Sequence, residues 1–244
     1  KEIRKGHPRD YAEIAADGTL HAATEYNSIS FYVDGDTLSG FHYELIEAFA
    51  RDHGLQVAIT PEMSFNERLE GLANGRFDVI AYGILATSEL KDPCFWLSDC
   101  SEQAGIGTTE NRLSRRFPVY QKPIGLSGKD AECVEGSPSI LRIRNLGNEI
   151  GDTIYIKEVE KYGSEQLIAL VAHGDIDYAV CEESIARAAA DSLPQIDINT
   201  AISFTQFYSW GVSKQSPVLL DSLNTWLERF KKGKEYRKIY KRYY

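Results

Sequence analysis

Two stretches of this chain repeat one order of elements, and that repetition limits the fold more than any bulk property. In the first, "TLHAAT" (19–24) reads as a strand and "GFHYELIEAFARDHG" (40–54) as an amphipathic helix. Phe41, Leu45, Ala48 and Phe49 share a face of that helix, and Gly54 ends it. "LQVAIT" is a strand, "SFNERLEGLANG" a helix capped by Ser64 and closed by Gly75, and "FDVIAYG" a strand. The second stretch runs "KDAECVEG" (129–136), "SPSILRIRNLG" (137–147), "DTIYIKEV", "GSEQLIALVAHG", "IDYAVCEE" and then the helix "ESIARAAADS". Ser137 is placed to cap its first helix, with Pro138 at the first helical position. A β-α-β-α-β order calls for crossover helices and a parallel sheet with helices on its faces. The chain therefore reads as α/β, built from two such units.

The connections suggest how the units join. "CSEQAGIGTTENRLSRRFPVYQKPIGLSG" is extended and then punctuated by Pro and Gly, whereas "ISFTQFYSWGVSK" (202–214) is β-rich. Two helices follow, "SPVLLDSLNTWLERFKKG" and "KEYRKIYKRYY". The reading is a first lobe of residues 18–104 plus 206–244, a second lobe of 105–205, and an N-terminal extension over 1–17. Two lobes joined by two crossings make a hinge with a cleft between them. The 244 residues suffice for two lobes of about a hundred each.

No run approaches the roughly 18 apolar residues that would span a bilayer. The net charge of −9 argues against general nucleic-acid binding. Charge is uneven: residues 229–244 hold eight Lys or Arg and one Glu, as expected of a solvated basic helix against an acidic body or of a docking surface for an anionic membrane or partner. Cys94, Cys100, Cys133 and Cys181 form no C-x-x-C pair and have no His at zinc-ligand spacing. Disulfides and buried thiols both remain open; Cys133 and Cys181 each end an apolar strand-like run.

Seven segments, in order, resemble one family. "GTLHAATEYNSISFYVDGDTLSGFHYELIEAFARDHGLQV", with Gly40-Phe41-x-x-Glu44-Leu45, resembles the opening of the bacterial family 3 extracellular solute-binding proteins, where an acid is expected at His42. "LEGLANGRFDVIAYG", "TSELK" with "LSD", "GKDAECVEGS", "LVAHGDIDYAVCEE" and "LNTWLERFKKGKEYRKIYKRY" resemble its later segments, so that the likeness covers residues 18–244. Within the family, the chain also resembles the N-terminal binding domain of membrane-bound lytic murein transglycosylase F. The resemblance implies a two-lobed type II periplasmic-binding-protein fold, each lobe a mostly parallel sheet flanked by helices. It also implies an extracytoplasmic or periplasmic location, with a leader or membrane anchor ahead of Lys1.

The resemblance also implies where a ligand would be gripped. Glu25 ends the first strand and Glu182 ends the lobe-two strand, both where acids meet a ligand's amine; either can instead be a solvated strand-end acid. Phe65 corresponds to the covering aromatic ring, with core packing as the alternative, and Tyr26 can add a second ring. The grip on an α-carboxylate is altered. Tyr82, Gly83 and Leu85 stand where small polar residues are expected. The arginine position falls on Leu90 counting forward from Thr87, or on Lys91 counting back from Ser98. Lys91 would act as a point charge without bidentate geometry, or as a plain surface lysine. On lobe two, Ser137 and Ser139 can bind an anion or hydroxyl at a helix start, or simply cap the helix.

No catalytic set, cofactor motif or metal-ligand spacing stands out, and His7, His21, His42, His53 and His173 are scattered, most of them reading as surface or helix positions. The expectation is a non-enzymatic, monomeric binding protein for a small polar ligand bearing amine, amide or hydroxyl groups, other than a standard free amino acid. Its partners would be an ABC permease or cell-wall fragments. A dehydratase-like enzyme using Glu25 and Glu182 as acid and base is the rival class.

Overall fold

A computed structural model describes residues 6–85, 94–96, 100–102, 104–109, 126–137, 139–202 and 206–244. It divides into unit 1, Lys1–Cys100 with Phe207–Tyr244, and unit 2, Ser101–Gln206.

Unit 1 opens with α1 (Tyr11–Asp17), then β1 (Thr19–Thr24), the hairpin of β2 (Tyr32–Asp34) and β3 (Thr37–Ser39), and α2 (Phe41–Asp52). There follow β4 (Gln56–Pro61), α3 (Phe65–Ala73), β5 (Val79–Leu85), β6 (Cys94–Trp96) and β7 (Cys100–Glu102). Unit 2 carries β8 (Ala104–Thr109), β9 (Asp130–Val134), α4 (Ser139–Ile150), β10 (Tyr155–Val159), α5 (Ser164–His173), β11 (Tyr178–Glu182), α6 (Glu183–Ala190) and β12 (Ile196–Ala201). The chain returns through β13 (Gln206–Ser213) to α7 (Pro217–Phe230) and α8 (Lys234–Tyr243).

The sheet of unit 1 has the order β4-β1-β5-β13-β6, with β7 also pairing β13. β1 lies parallel to β4 and β5, and β13 runs antiparallel to β5 and β6. Unit 2 repeats the design as β10-β9-β11-β8-β12: β9, β10, β11 and β12, which alternate with helices, all run the same way, and β8 lies antiparallel between β11 and β12. The strand that runs against its neighbours, β13 in unit 1 and β8 in unit 2, comes from a segment outside the β-α-β repeat and needs no crossover helix.

Residues 6–17 are built into unit 1, although their sequence has no period that marks them as part of it. The Arg9 guanidinium makes two hydrogen bonds to buried Asp78, 3.1 Å from Nε to Oδ1 and 2.6 Å from Nη2 to Oδ2, and a third to the Thr19 carbonyl. Asp10 accepts from the Tyr11 N–H that opens α1, and from the Val218 and Leu219 N–H groups that open α7. One carboxylate thus satisfies donors left over at two helix starts.

The C-terminal helices close over α2. Trp226 donates its indole N–H to Asp52, and the Phe41 ring is met edge-on by Tyr236, Tyr240, Tyr243 and Tyr244. Gly40, which opens α2 at φ 128°, is confined: a Cβ there would lie 2.3 Å from the Ser30 carbonyl oxygen.

In unit 2, Ala131, Cys133, Ile143, Leu146 and Val180 form the core. Cys133 and Cys181 are buried; the side chains of Cys94 and Cys100 lie outside the described residues. Burial, with Glu158 and Glu132 nearby, pushes the Cys133 thiol up to about 12.

Candidate functional site

The ends of the parallel strands are where an α/β sheet presents groups to a ligand. In unit 1 that edge is built by β1, β5 and the first turn of α3. Thr24 donates to the Ala81 carbonyl and ties the ends of β1 and β5 together. The Ser64 Oγ accepts from the Glu67 N–H and starts α3 at Phe65.

Three of the sequence-derived residues meet here around a fourth that the sequence reading missed. Glu25 and Arg68 are both 2 % exposed, with Oε2 4.0 Å from Nη2. The Arg68 guanidinium carbon lies 5.0 Å from the centre of the Tyr82 ring and 5.8 Å from that of Phe65. Its Nη1 donates to the Glu62 carbonyl at 2.5 Å, while its Nε has no hydrogen-bond partner. Asn27 donates to the Glu25 carboxylate at 3.4 Å, and its own carbonyl accepts from the Ile29 and Ser30 N–H groups. A signal for Arg68 was available: Phe65, Arg68, Leu69 and Leu72 are spaced i, i+3, i+4, i+7, so that the charge sits inside the apolar stripe of α3.

Behind Tyr82 lies His42, its ring centre 5.9 Å away. Trp210 donates its indole N–H to His42 Nδ1 at 2.9 Å. Burial drives the imidazole down to about 3, so that it is neutral and accepts this bond at pH 7. His42 is on a helix, one of the two places read for the histidines, and is buried there. Its spacing to Leu45, Ile46 and Phe49 repeats the i, i+3, i+4, i+7 stripe.

The other unit 1 residues are placed differently. Tyr26 is 40 % exposed, its hydroxyl accepts from the Val33 N–H, and its ring meets Phe31 edge-on at 5.9 Å, so it braces the β2–β3 hairpin. Gly83 is half-buried on β5. Leu85 ends β5 with its backbone opposite Tyr208, and its side chain is outside the described residues, as is the whole of Lys91.

Unit 2 offers a second polar strand edge. Glu182 ends β11, is half-buried, and accepts from the Ser164 hydroxyl at 3.3 Å. Ser164, buried at the first position of α5, is another residue the sequence reading missed. The Ser137 hydroxyl accepts from the Ser139 N–H at 3.2 Å at the start of α4. Ser139 is itself buried. Among the described residues, no three His, Cys, Asp or Glu side chains are grouped to hold a metal ion, and no helix is long and apolar enough to cross a membrane.

Two mixed α/β sheets, each with polar side chains at the ends of its parallel strands, are the frame of a type II periplasmic binding protein. The chain belongs to the bacterial extracellular solute-binding proteins, family 3, whose family model matches residues 19–244. A membrane-bound lytic murein transglycosylase F from Desulfosudis oleivorans is 27 % identical over 233 residues, covering 95 % of this chain and 50 % of the relative. The chain thus spans about half the length of that relative. Among solved structures, an ancestral arginine-binding protein bound to arginine is similar at a TM-score of 0.80 and 24 % identity, covering 93 % of this chain and 98 % of that one. The ancestral amino acid-binding protein AncCDT-1, a precursor of cyclohexadienyl dehydratase, is similar at 0.77 and 20 %, covering 95 % and 97 %. These structural likenesses establish the fold.

Proposed function

We propose that this chain is an extracytoplasmic, monomeric solute-binding domain that captures a small polar ligand other than a standard free amino acid, without turning it over. The observation that carries the reading is the end of β5. Tyr82 brings a buried ring against Arg68 where the family resemblance calls for a small hydroxyl donor. A carboxylate there would lack that hydroxyl and would meet a guanidinium already buried beside Glu25 and bonded to the Glu62 carbonyl; burial short of donors costs several kcal/mol, on the order of a small ligand's whole binding energy. Glu182, Ser137 and Ser139 in unit 2, with Gly83 and Tyr26 in unit 1, are the proposed contacts for amide and hydroxyl groups. Leu85 and Lys91 are proposed to border them. Calorimetry tests this with the twenty free amino acids and a panel of amide- and hydroxyl-rich sugars and peptides. We expect amino acids to bind no tighter than about 1 mM and a member of the second panel to bind more tightly. Micromolar binding of one amino acid, abolished by Lys91→Ala, would refute the reading.

The kinship with transglycosylase F favours a second reading: a sensory or regulatory domain that recognises cell-wall peptides or muropeptides rather than delivering a solute to an ABC permease. Purified muropeptides in the same calorimetric panel separate the two. Mass spectrometry of the bound compound before and after incubation tests the absence of turnover, since a dehydratase-like activity through Glu25 and Glu182 would release an altered product.

A further inference from the structure

We infer that Arg68 is an internal cation seated in a guanidinium site made by Glu25, Phe65 and Tyr82, and that this self-occupied site excludes cationic ligands from the strand edge of unit 1.

Two arginines of unit 1 reach buried carboxylates, and they do so in different ways. Arg9 grips Asp78 through two short hydrogen bonds, the fork-to-fork geometry of a structural ion pair. Arg68 is not centred on its carboxylate. It stands 4.0 Å from Glu25, its guanidinium carbon rests over the Tyr82 and Phe65 rings, and its Nε is unpartnered though buried. A cation placed over ring faces, with a carboxylate to one side, is how a protein receives a ligand cation. Here the cation arrives from α3, one turn beyond the Ser64 cap. Asn27 holds the Glu25 carboxylate, and the Glu62 carbonyl takes one guanidinium N–H, so the seat is built from three different segments of unit 1.

The consequence concerns ligand class. A second cation brought to Glu25 would meet a guanidinium already in place, at a buried position where like charges repel strongly. The ligand head that unit 1 tolerates is neutral, an amide or a hydroxyl, and not an amine or guanidine. This last step rests on the ligand-capture reading; the occupied seat does not.

Removing the tethered cation should leave a seat for a free one. Arg68→Ala is melted with and without methylguanidinium at about tenfold excess over its dissociation constant; the midpoint should rise by about 3 to 5 °C. The unaltered chain and the Arg68→Ala/Glu25→Gln double variant should not respond. No response in Arg68→Ala, or an equal response in all three, would overturn the seat. Should Arg68→Ala not fold, arginine side-chain NMR of the unaltered chain decides. The Nε–H assigned through its contact with the Tyr82 ring should exchange with water roughly a hundredfold more slowly than exposed arginines; exchange at the exposed rate would overturn the seat. For the ligand class, agmatine and lysine should show no saturable binding to the unaltered chain. Agmatine binding that is lost in Glu25→Gln would overturn the exclusion while leaving the methylguanidinium result, and so the seat, intact.

Discussion

The end of β5 in unit 1 and the end of β11 in unit 2 are equivalent places in a repeated frame, and they are filled in opposite ways. At the first, Glu25, Tyr82 and Phe65 surround Arg68 and the edge is dry. At the second, Glu182 is half-buried beside the Ser164 hydroxyl, and the serines at the α4 start follow the end of the neighbouring strand β9. The frame decides where polar groups are presented. One residue in the first turn of the crossover helix, a long cation in α3 or a short hydroxyl in α5, decides whether that place is core or surface.

The largest effect should come from breaking the dry edge. Arg68→Ala leaves Glu25 as a buried charge and should cost about 3–5 kcal/mol of stability by urea unfolding. A paired Arg68→Leu/Glu25→Leu change should recover most of that loss. A single-variant cost near the surface ion-pair range of about 0–1 kcal/mol would erase the contrast between the units. By comparison, Glu182→Gln in unit 2 should be nearly neutral for stability and should appear in ligand binding instead.

The helices that cover the two sheets differ in a similar sense. A Cβ on Gly71 of α3 would lie 2.4 Å from the Phe77 ring, whereas one on Gly147 of α4 would lie 3.0 Å from the Asp152 carbonyl oxygen. Gly71→Ala should therefore cost about 1–3 kcal/mol through overpacking. Gly147→Ala, which also gains helix propensity, should cost less. Thermal unfolding of both variants checks the order, and a reversal would mean that α4 is the more tightly seated helix.

The two units should also fail at opposite ends of the pH scale. His42 in unit 1 falls from 6.5 to about 3 on burial, so the unfolded chain binds its proton first. Its contribution is fully present above 6.5 and is lost as pH falls toward 3, with a slope of up to about 1.4 kcal/mol per pH unit. Cys133 in unit 2 rises from 9.0 to about 12, mainly by burial. Its contribution is fully present below 9 and is lost as pH rises toward 12. Urea midpoints measured across pH should lose their acid slope in His42→Gln and their alkaline slope in Cys133→Ala, each relative to the unaltered chain. The smallest effect is that of Ser164→Ala, about 0.5–1.5 kcal/mol for one hydrogen bond to Glu182, and it should be accompanied by a weaker hold on whatever ligand Glu182 contacts.

What the sequence determined by itself is local and periodic. The β-α-β repeats carry their own start and stop signals, and the structure uses them: Ser64 caps α3 through the Glu67 N–H, and Gly174 ends α5 at φ 83°. The burial of Cys133 and Cys181 follows from the apolar runs they close. Elements held by distant partners left no such trace. The helix α1 depends on the hold of Asp78 on Arg9, and the β2–β3 hairpin on the Asn27 turn, on Gly40 and on the Tyr243 hydroxyl that accepts from the Gly40 N–H. The site divides in the same way. Glu25, Phe65 and Tyr82 were singled out by the family resemblance, but nothing in their spacing says that they face one another across Arg68. The apolar stripe of α3 marks that arginine as facing inward, but not what it meets there. Only the packing of α3 against β1 and β5 puts a carboxylate and two rings around it, because residues 25, 68 and 82 become neighbours through strand order, which no local spacing encodes.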